Sequence, residues 1–251
     1  MARVSRALAA PLVLLAAWQL VPGIAGLDPL VLPTPSQIVA QLVATREIAW
    51  EHTLHTLLET VTGFAASAVV ALAVAVLMDR IPWLKRGLYP MLVASQTIPI
   101  IAIAPLMIIW FGFGLLPKVI VVVLVTFFPI VVAVLDGFAA TDPEAERLLR
   151  SMGASRRQVF WRARVPSALP GLFTGMRISI SYAVTAAVVA EYVGAERGLG
   201  IWMQQSKAAF QTDLVFGAML VTALISTTLF LLVNAIAHLA IPWHYAQRRR
   251  A

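Results

Sequence analysis

Hydrophobic positions in this chain run together rather than alternating with polar ones. No charged residue occurs between Arg6 and Asp28, Glu59 and Asp79, Arg86 and Lys118, or Asp213 and Arg248. A helix needs about 20 apolar residues to cross the hydrocarbon core of a bilayer. The runs predict six transmembrane helices, at roughly 7–26, 57–78, 88–110, 117–136, 167–191 and 215–241. An amphipathic stretch from Gln37 to Leu58 leads into the second. Ser36 is expected to cap it, with Pro33 and Pro35 holding the entering chain extended. Asp142-Pro143 predicts a further helix start after the fourth span, because proline suits a first helical turn. The expected fold class is an all-α membrane protein. No internal repeat interrupts residues 1–251, which predicts a single transmembrane domain with one long loop, 142–166.

Composition agrees with this pattern. Of 251 residues, 60% are hydrophobic and 12% charged, against about 25% charged in soluble domains. Cysteine is absent, which excludes a disulfide framework, a thiolate metal site and a cysteine nucleophile. The net charge of +7 comes from Arg and Lys beside the apolar runs. That is a topological signal rather than a nucleic-acid patch; the bilayer is the expected partner, and nucleic acid is not. With both termini inside, fourteen Lys and Arg fall on the cytoplasmic side and four outside, leaving Arg177 within a span. Arg3 and Arg6 before an apolar run would suit a cleavable signal peptide. The run to Leu27 is span-length, however, and five more follow, so a retained first span is expected.

Little here assembles into catalysis. His52, His55 and Glu59 fall at helical spacing and would share one face as metal ligands. Without a fourth ligand, such a pair is more often an interfacial helix with two solvated imidazoles, which is the expected reading. No HExxH or GxSxG occurs, so no nucleophile meets a base. A phosphate-binding loop needs Gly-Lys-Ser/Thr, yet none of Lys85, Lys118 and Lys207 follows a glycine. No enzyme activity, cofactor or metal is expected, and any pumping draws its energy from a partner or an ion gradient.

Polar residues inside the spans suggest a conduit. The third span carries Ser95-Gln96-Thr97-Ile98-Pro99 and then Pro105. Each proline removes a backbone donor and disturbs the helix, leaving carbonyls that need polar neighbours or a cavity; a kinked packing helix is the alternative. Arg177, followed by Ser179, Ser181, Tyr182 and Thr185, is the one charge well inside a span. Such a charge faces a bundle interior or snorkels to the surface. Glu191 closes the fifth span, either at a gate or as a solvated cap. The candidate route residues are therefore Gln96, Thr97, Arg177, Tyr182 and Glu191.

Loop 142–166 is the most informative segment. Gly153 divides it into two expected short helices, and glycine there permits a tight turn and close approach of another backbone. The loop resembles the EAA signature of permease subunits in binding-protein-dependent ABC importers. Asp142-Pro143-Glu144, Arg150-Ser151-Met152-Gly153-Ala154-Ser155 and Val165-Pro166 match in register, whereas the triplet positions hold Arg147, Leu148 and Leu149. By that resemblance, Glu144, Glu146, Arg150, Gly153, Ala154, Ser155 and Arg156 form or border the ATPase contact. Glu144 or Glu146 would stand in for the usual acidic residue.

The resemblance covers nearly the whole chain. Leu32-Pro33-Thr34-Pro35, Thr56-Leu57 with Gly63-Phe64, Ile108 to Gly114, and Glu191 to Ala195 with Gly198-Leu199-Gly200 are similar to the nitrate/sulfonate/taurine-type permease group. It implies a type I ABC importer permease of six spans in a bacterial inner membrane, working as a homodimer. Cytoplasmic ATPase subunits and an extracytoplasmic solute-binding protein are the implied partners. Thr56-Leu57-Leu58-Glu59, Ser95 to Pro99 and Gly114 to Lys118 look most like the branch importing pyrimidine precursors of thiamin. Glu59 and Glu191, expected near the outer mouth as fixed negative charges, would oppose an anion on a low-dielectric route and favour a neutral or weakly basic heteroaromatic solute. Riboflavin and sulfonate or nitrate import compete within the group. A secondary transporter would need mid-membrane carboxylates, which the spans lack.

Overall fold

The computed structural model describes residues 2–248. Of the basic residues counted above, Arg249 and Arg250 lie outside the described residues, as do the side chains of Arg3, Arg6 and Arg248. The described elements are helices: α1 (Ala2–Ile24), α2 (Pro35–Ala44), α3 (Arg46–Arg80), α4 (Pro82–Ser95), α5 (Ile100–Phe111), α6 (Leu115–Ala139), α7 (Pro143–Ser151), α8 (Arg156–Val159), α9 (Val165–Gly194), α10 (Leu199–Ala208), α11 (Thr212–Ala240) and α12 (Pro242–Arg248). A π-helical turn, Phe160–Arg164, joins α8 to α9. Pro166 offers no N–H to the turn before it, and the Val165 amide reaches back to the Phe160 carbonyl instead.

Among the described residues, four helices are long and apolar enough to cross a membrane: α3, α6, the continuous rod Arg156–Gly194 and α11. The expected kinked span at 88–110 is corrected to two separate helices. The chain turns by 100° between α4 and α5, because Pro99 disfavours helical backbone at Ile98. Side chains satisfy the carbonyls near the break, Ser95 Oγ donating to Leu92 O at 2.7 Å and Thr97 Oγ1 to Ala94 O at 2.8 Å. Because α3 ends beside loop 142–166 and α6 starts at the far end, α4 and α5 together carry the chain across as a broken fifth span. The described apolar part of α1, Ala10–Ile24, is shorter than a span. At α2, Thr34 rather than Ser36 is the cap, forming a capping box with Gln37; Ser36 instead bonds Gln19 of α1.

The core lies where α6 and α9 pack against each other and against α3. It is built from small and β-branched residues; Ala71, Ala75, Val122, Val131, Val134, Ala183 and Ala187 are fully enclosed. Lipid offers no hydrophobic drive between helices, so close backbone approach supplies the packing. Gly137 and Gly175 make that approach possible. A Cβ on Gly137 would stand 2.8 Å from the Ala168 Cα, and one on Gly175 2.9 Å from the Pro129 carbonyl oxygen. Ser179 Oγ donates to the Thr126 carbonyl at 2.8 Å, tying α9 to α6.

Candidate functional site

Three polar regions stand out along the bundle axis. The first is the helical hairpin at one end. Asp142 caps α7, its carboxylate accepting from the Glu144 amide at 2.8 Å, with Pro143 in the first turn. Gly153 turns the chain with φ +81°, and a Cβ there would meet nothing within 4 Å. Ser155 then caps α8 reciprocally with Gln158. Helix α7 buries none of its residues, and Leu148 and Met152 are 62% and 75% exposed. Glu144, Arg150, Gly153, Ser155 and Arg156 are exposed, with Ala154 and Glu146 half-buried. Arg164 anchors the hairpin to the bundle, pairing with Asp79 of α3 at 2.6 Å and Glu146 of α7 at 3.5 Å.

The second region is mid-bundle. Thr174, Ile178, Ser181, Tyr182 and Thr185 form an exposed stripe on α9, their spacing being that of one helix face. The opposite face, with Ala183, Val184 and Ala187, is buried. On α11 most exposed residues are apolar, among them Leu220, Leu224, Leu231 and Leu232, as lipid contact requires, and the exposed Thr227 and Thr228 turn their hydroxyls back to carbonyls of their own helix. Arg177 flanks the stripe half-buried, donating to Asn234 Oδ1 at 3.2 Å and to the Phe173 carbonyl at 3.2 Å. Gln96 and Thr97 are exposed at the α4–α5 break.

The third region, at the other end, was not legible as a cluster. Glu191 is fully enclosed. Thr56 Oγ1 donates to its Oε1 at 2.6 Å, and the Gly200 amide to its Oε2 at 2.7 Å. The carboxylate thus caps the first turn of α10, where orphan amides and the helix dipole favour negative charge. Gly198, at φ +128°, passes so close that any Cβ would strike this carboxylate. His52 Nδ1 accepts from the Gly198 amide at 3.0 Å, and its ring stacks on Trp202. That bond explains His52 without a metal, and no described cluster of His, Asp or Glu has metal-binding geometry.

Glu59 belongs to the same region. It is 3% exposed, and Lys118 Nζ donates to its Oε1 at 2.7 Å. Sequence alone put Lys118 on the outer side at the start of the fourth span, and Glu59 and Glu191 near the outer mouth. Both carboxylates are instead enclosed, one neutralised by a lysine and the other consumed by a helix terminus. In this structure Glu191 faces no open route, and neither carboxylate stands as a free negative charge. A neighbouring cavity of about 440 Å³ is bordered by His55, Lys118, Glu196 and Arg197.

The chain matches known proteins over most of its length. Residues 56–243 match a family model described as binding-protein-dependent transport system inner membrane component. The formylaminopyrimidine transport permease ThiX of Halalkalibacterium halodurans is 38% identical over 237 residues, 94% of this chain and 94% of that protein. The riboflavin transport system permease RibX of Chloroflexus aurantiacus is 36% identical over 234 residues, covering 92% and 87%. A chain from the crystal structure of an amino acid ABC transporter superposes with a TM-score of 0.63 over 81% of this chain and 97% of that one. At 16% identity, that match speaks to the fold.

Proposed function

We propose, for a chain that belongs to the binding-protein-dependent transport system inner membrane components and is thereby the permease subunit of an ABC importer, that it moves a pyrimidine precursor of thiamin inward as a homodimer. Such permeases are generally non-catalytic, and ATP hydrolysis belongs to a separate subunit. In this reading two cytoplasmic ATPase subunits seat on loop 142–166, and an extracytoplasmic binding protein delivers solute at the opposite end.

The observation that carries the reading is the α7–α8 hairpin. It projects from the bundle, buries nothing of α7 and presents Leu148 and Met152 without a partner. Exposed apolar residues on a charged, capped helix outside the spans suit a docking surface. Glu144, Glu146, Arg150, Gly153, Ala154, Ser155 and Arg156 border it. The exposed polar stripe on α9, with Gln96, Thr97 and Arg177, supports a pathway closed by a second copy: Thr174, Ser181 and Thr97 turn their hydroxyls back to nearby carbonyls, but lipid would leave the exposed Tyr182 hydroxyl and Gln96 amide unsatisfied.

The substrate rests on the quoted motifs and on the likeness to ThiX. A second reading, riboflavin import, has the likeness to RibX behind it. Uptake of labelled hydroxymethylpyrimidine by a strain unable to make it, with and without this gene and its partners, tests the choice. Gene-dependent uptake competed by unlabelled pyrimidine but not by riboflavin is expected. Gene-dependent riboflavin or taurine uptake without pyrimidine uptake would reverse it. Coupling is tested separately by copurification with the ATPase. Gly153→Asn, which tolerates positive φ, is expected to retain the ATPase, whereas Gly153→Trp loses it.

A further inference from the structure

A cleft of about 680 Å³ opens between the end of α3, the α7–α8 hairpin and the π turn. Five arginines line it, Arg80, Arg150, Arg156, Arg157 and Arg164, against two carboxylates, Asp79 and Glu146. Both carboxylates are already engaged. Arg164 holds Asp79 at 2.6 Å, and Glu146 is shared by Arg164 at 3.5 Å and Arg150 at 3.7 Å. Arg80, Arg156 and Arg157 have no acidic partner among the described residues; Arg80 stacks its guanidinium 4.6 Å over the Phe160 ring. The cleft therefore carries three uncompensated guanidinium groups, which suit a phosphate diester through paired N–H donors.

A second feature adjoins it. Phe160 and Trp161 also line an apolar groove of about 120 Å³, with Leu72, Val76, Leu169 and Leu172 further along α3 and α9. Every lining residue of that groove is apolar. The groove lies alongside the hydrophobic run that begins near residue 167, so its floor is at hydrocarbon depth. Trp161, 59% exposed, stands between cleft and groove, at the level where tryptophan marks a membrane interface.

We propose that the arginine cleft and this groove together form a binding site for one anionic glycerophospholipid. The headgroup phosphate is held by Arg80 and Arg157, and a segment of one acyl chain lies in the groove against Trp161. A soluble phosphorylated ligand would use the cleft but leave the groove empty. A docked soluble subunit would not reach Leu169 or Leu172, which sit above the loop on the spanning part of α9. A zwitterionic lipid would bring its ammonium into a cleft of net positive charge. The site does not depend on which solute is carried or on which face of the membrane the hairpin occupies.

Brominated lipids quench tryptophan at contact range and supply the test. The transporter, assembled with its ATPase subunits, is reconstituted into phosphatidylcholine vesicles containing a minor fraction of brominated phosphatidylglycerol or brominated phosphatidylcholine. The contribution of Trp161 is isolated by difference from Trp161→Phe, because the chain has seven tryptophans. Stronger Trp161 quenching by the anionic lipid is expected. Arg157→Gln and Arg80→Gln should each lower the preference about fivefold, at about 1 kcal/mol per basic residue. Both positions are exposed, and a monodisperse elution profile checks that the variants fold. Equal quenching by the two lipids, or a preference indifferent to both arginines, would overturn the proposal. So would its loss on adding excess glycerol phosphate, which would mark a soluble-phosphate site. A preference present in the isolated permease but absent from the assembled complex would identify the cleft as protein interface and equally overturn it.

Discussion

Glu59 and Lys118 meet at 2.7 Å with side chains only 4% and 9% exposed, and such a pair is costly to break from one side. Lys118→Met leaves a buried carboxylate without its partner, an expected loss of roughly 3–5 kcal/mol. Replacing both, as Glu59→Leu with Lys118→Met, should recover most of that loss, since a packed apolar pair can match a buried ion pair. Thermal unfolding in detergent of the two single variants and the double variant measures the coupling; additive losses would show that the pair is not a unit. Glu191 invites a parallel experiment. Glu191→Ala strips the acceptor from the Gly200 amide and from Thr56, costing roughly 1–3 kcal/mol, and Gly198→Ala should cost a similar amount through strain and collision. Both should also speed proteolysis in the 195–211 segment, which the carboxylate ties to the bundle. Sequence marked Glu191, Gly198 and Gly200 as a motif, but it carried no sign that the three close on one another. Nor did it carry the salt bridge, because 59 residues separate Glu59 from Lys118 and only the α3–α6 packing brings them level.

The helices themselves were largely legible, and where they were not, a proline or a side-chain contact explains it. The hydrophobic runs located α3, α6, α9 and α11 to within a few residues at their apolar centres. They understated the lengths, because α3 begins at Arg46 and the α8–α9 rod at Arg156, both in polar segments where hydropathy gives no signal. Pro99 was read as a kink and is instead a 100° break; periodicity cannot separate the two, because the angle depends on what packs on either side. The exposed polar stripe of α9 gives the sharpest expectation at this scale. Cysteine at Tyr182 or Thr185 should react with a water-soluble thiol reagent in at least one nucleotide state. Cysteine at Ala183 or Glu191, enclosed by neighbouring helices, should stay unlabelled in all of them. The absence of native cysteine makes the measurement clean, and labelling at Ala183 with none at Tyr182 would place the route on another face.

For the molecule as a whole, the parity of spans decides the sidedness of everything else. Five spans, counting α4 and α5 as one, run between loops that alternate ends, with α7 and α8 at one end and α10 at the other. The first helix breaks the tie. Trp18 of α1 donates to the Pro33 carbonyl at 3.1 Å, and Thr212, at the start of α11, donates to the Leu30 carbonyl at 2.7 Å. The C-terminal end of α1 therefore lies with the α10 end, and a helix leaving it crosses back toward the hairpin. A sixth crossing by α1, with both termini beside loop 142–166, is the expectation to be tested. The excess of Lys and Arg on that side predicts that it faces the cytoplasm. Fusions should report accordingly: a fluorescent reporter that folds only in the cytoplasm should be active after Arg157 and at either terminus. A phosphatase that needs export should be active after Met203. A phosphatase active at the N-terminus would leave five crossings and take α1 out of the count. Activity of the same reporter after Arg157 and after Met203 would contradict α9 as a span, and with it the separation of the coupling hairpin from the end where solute is delivered.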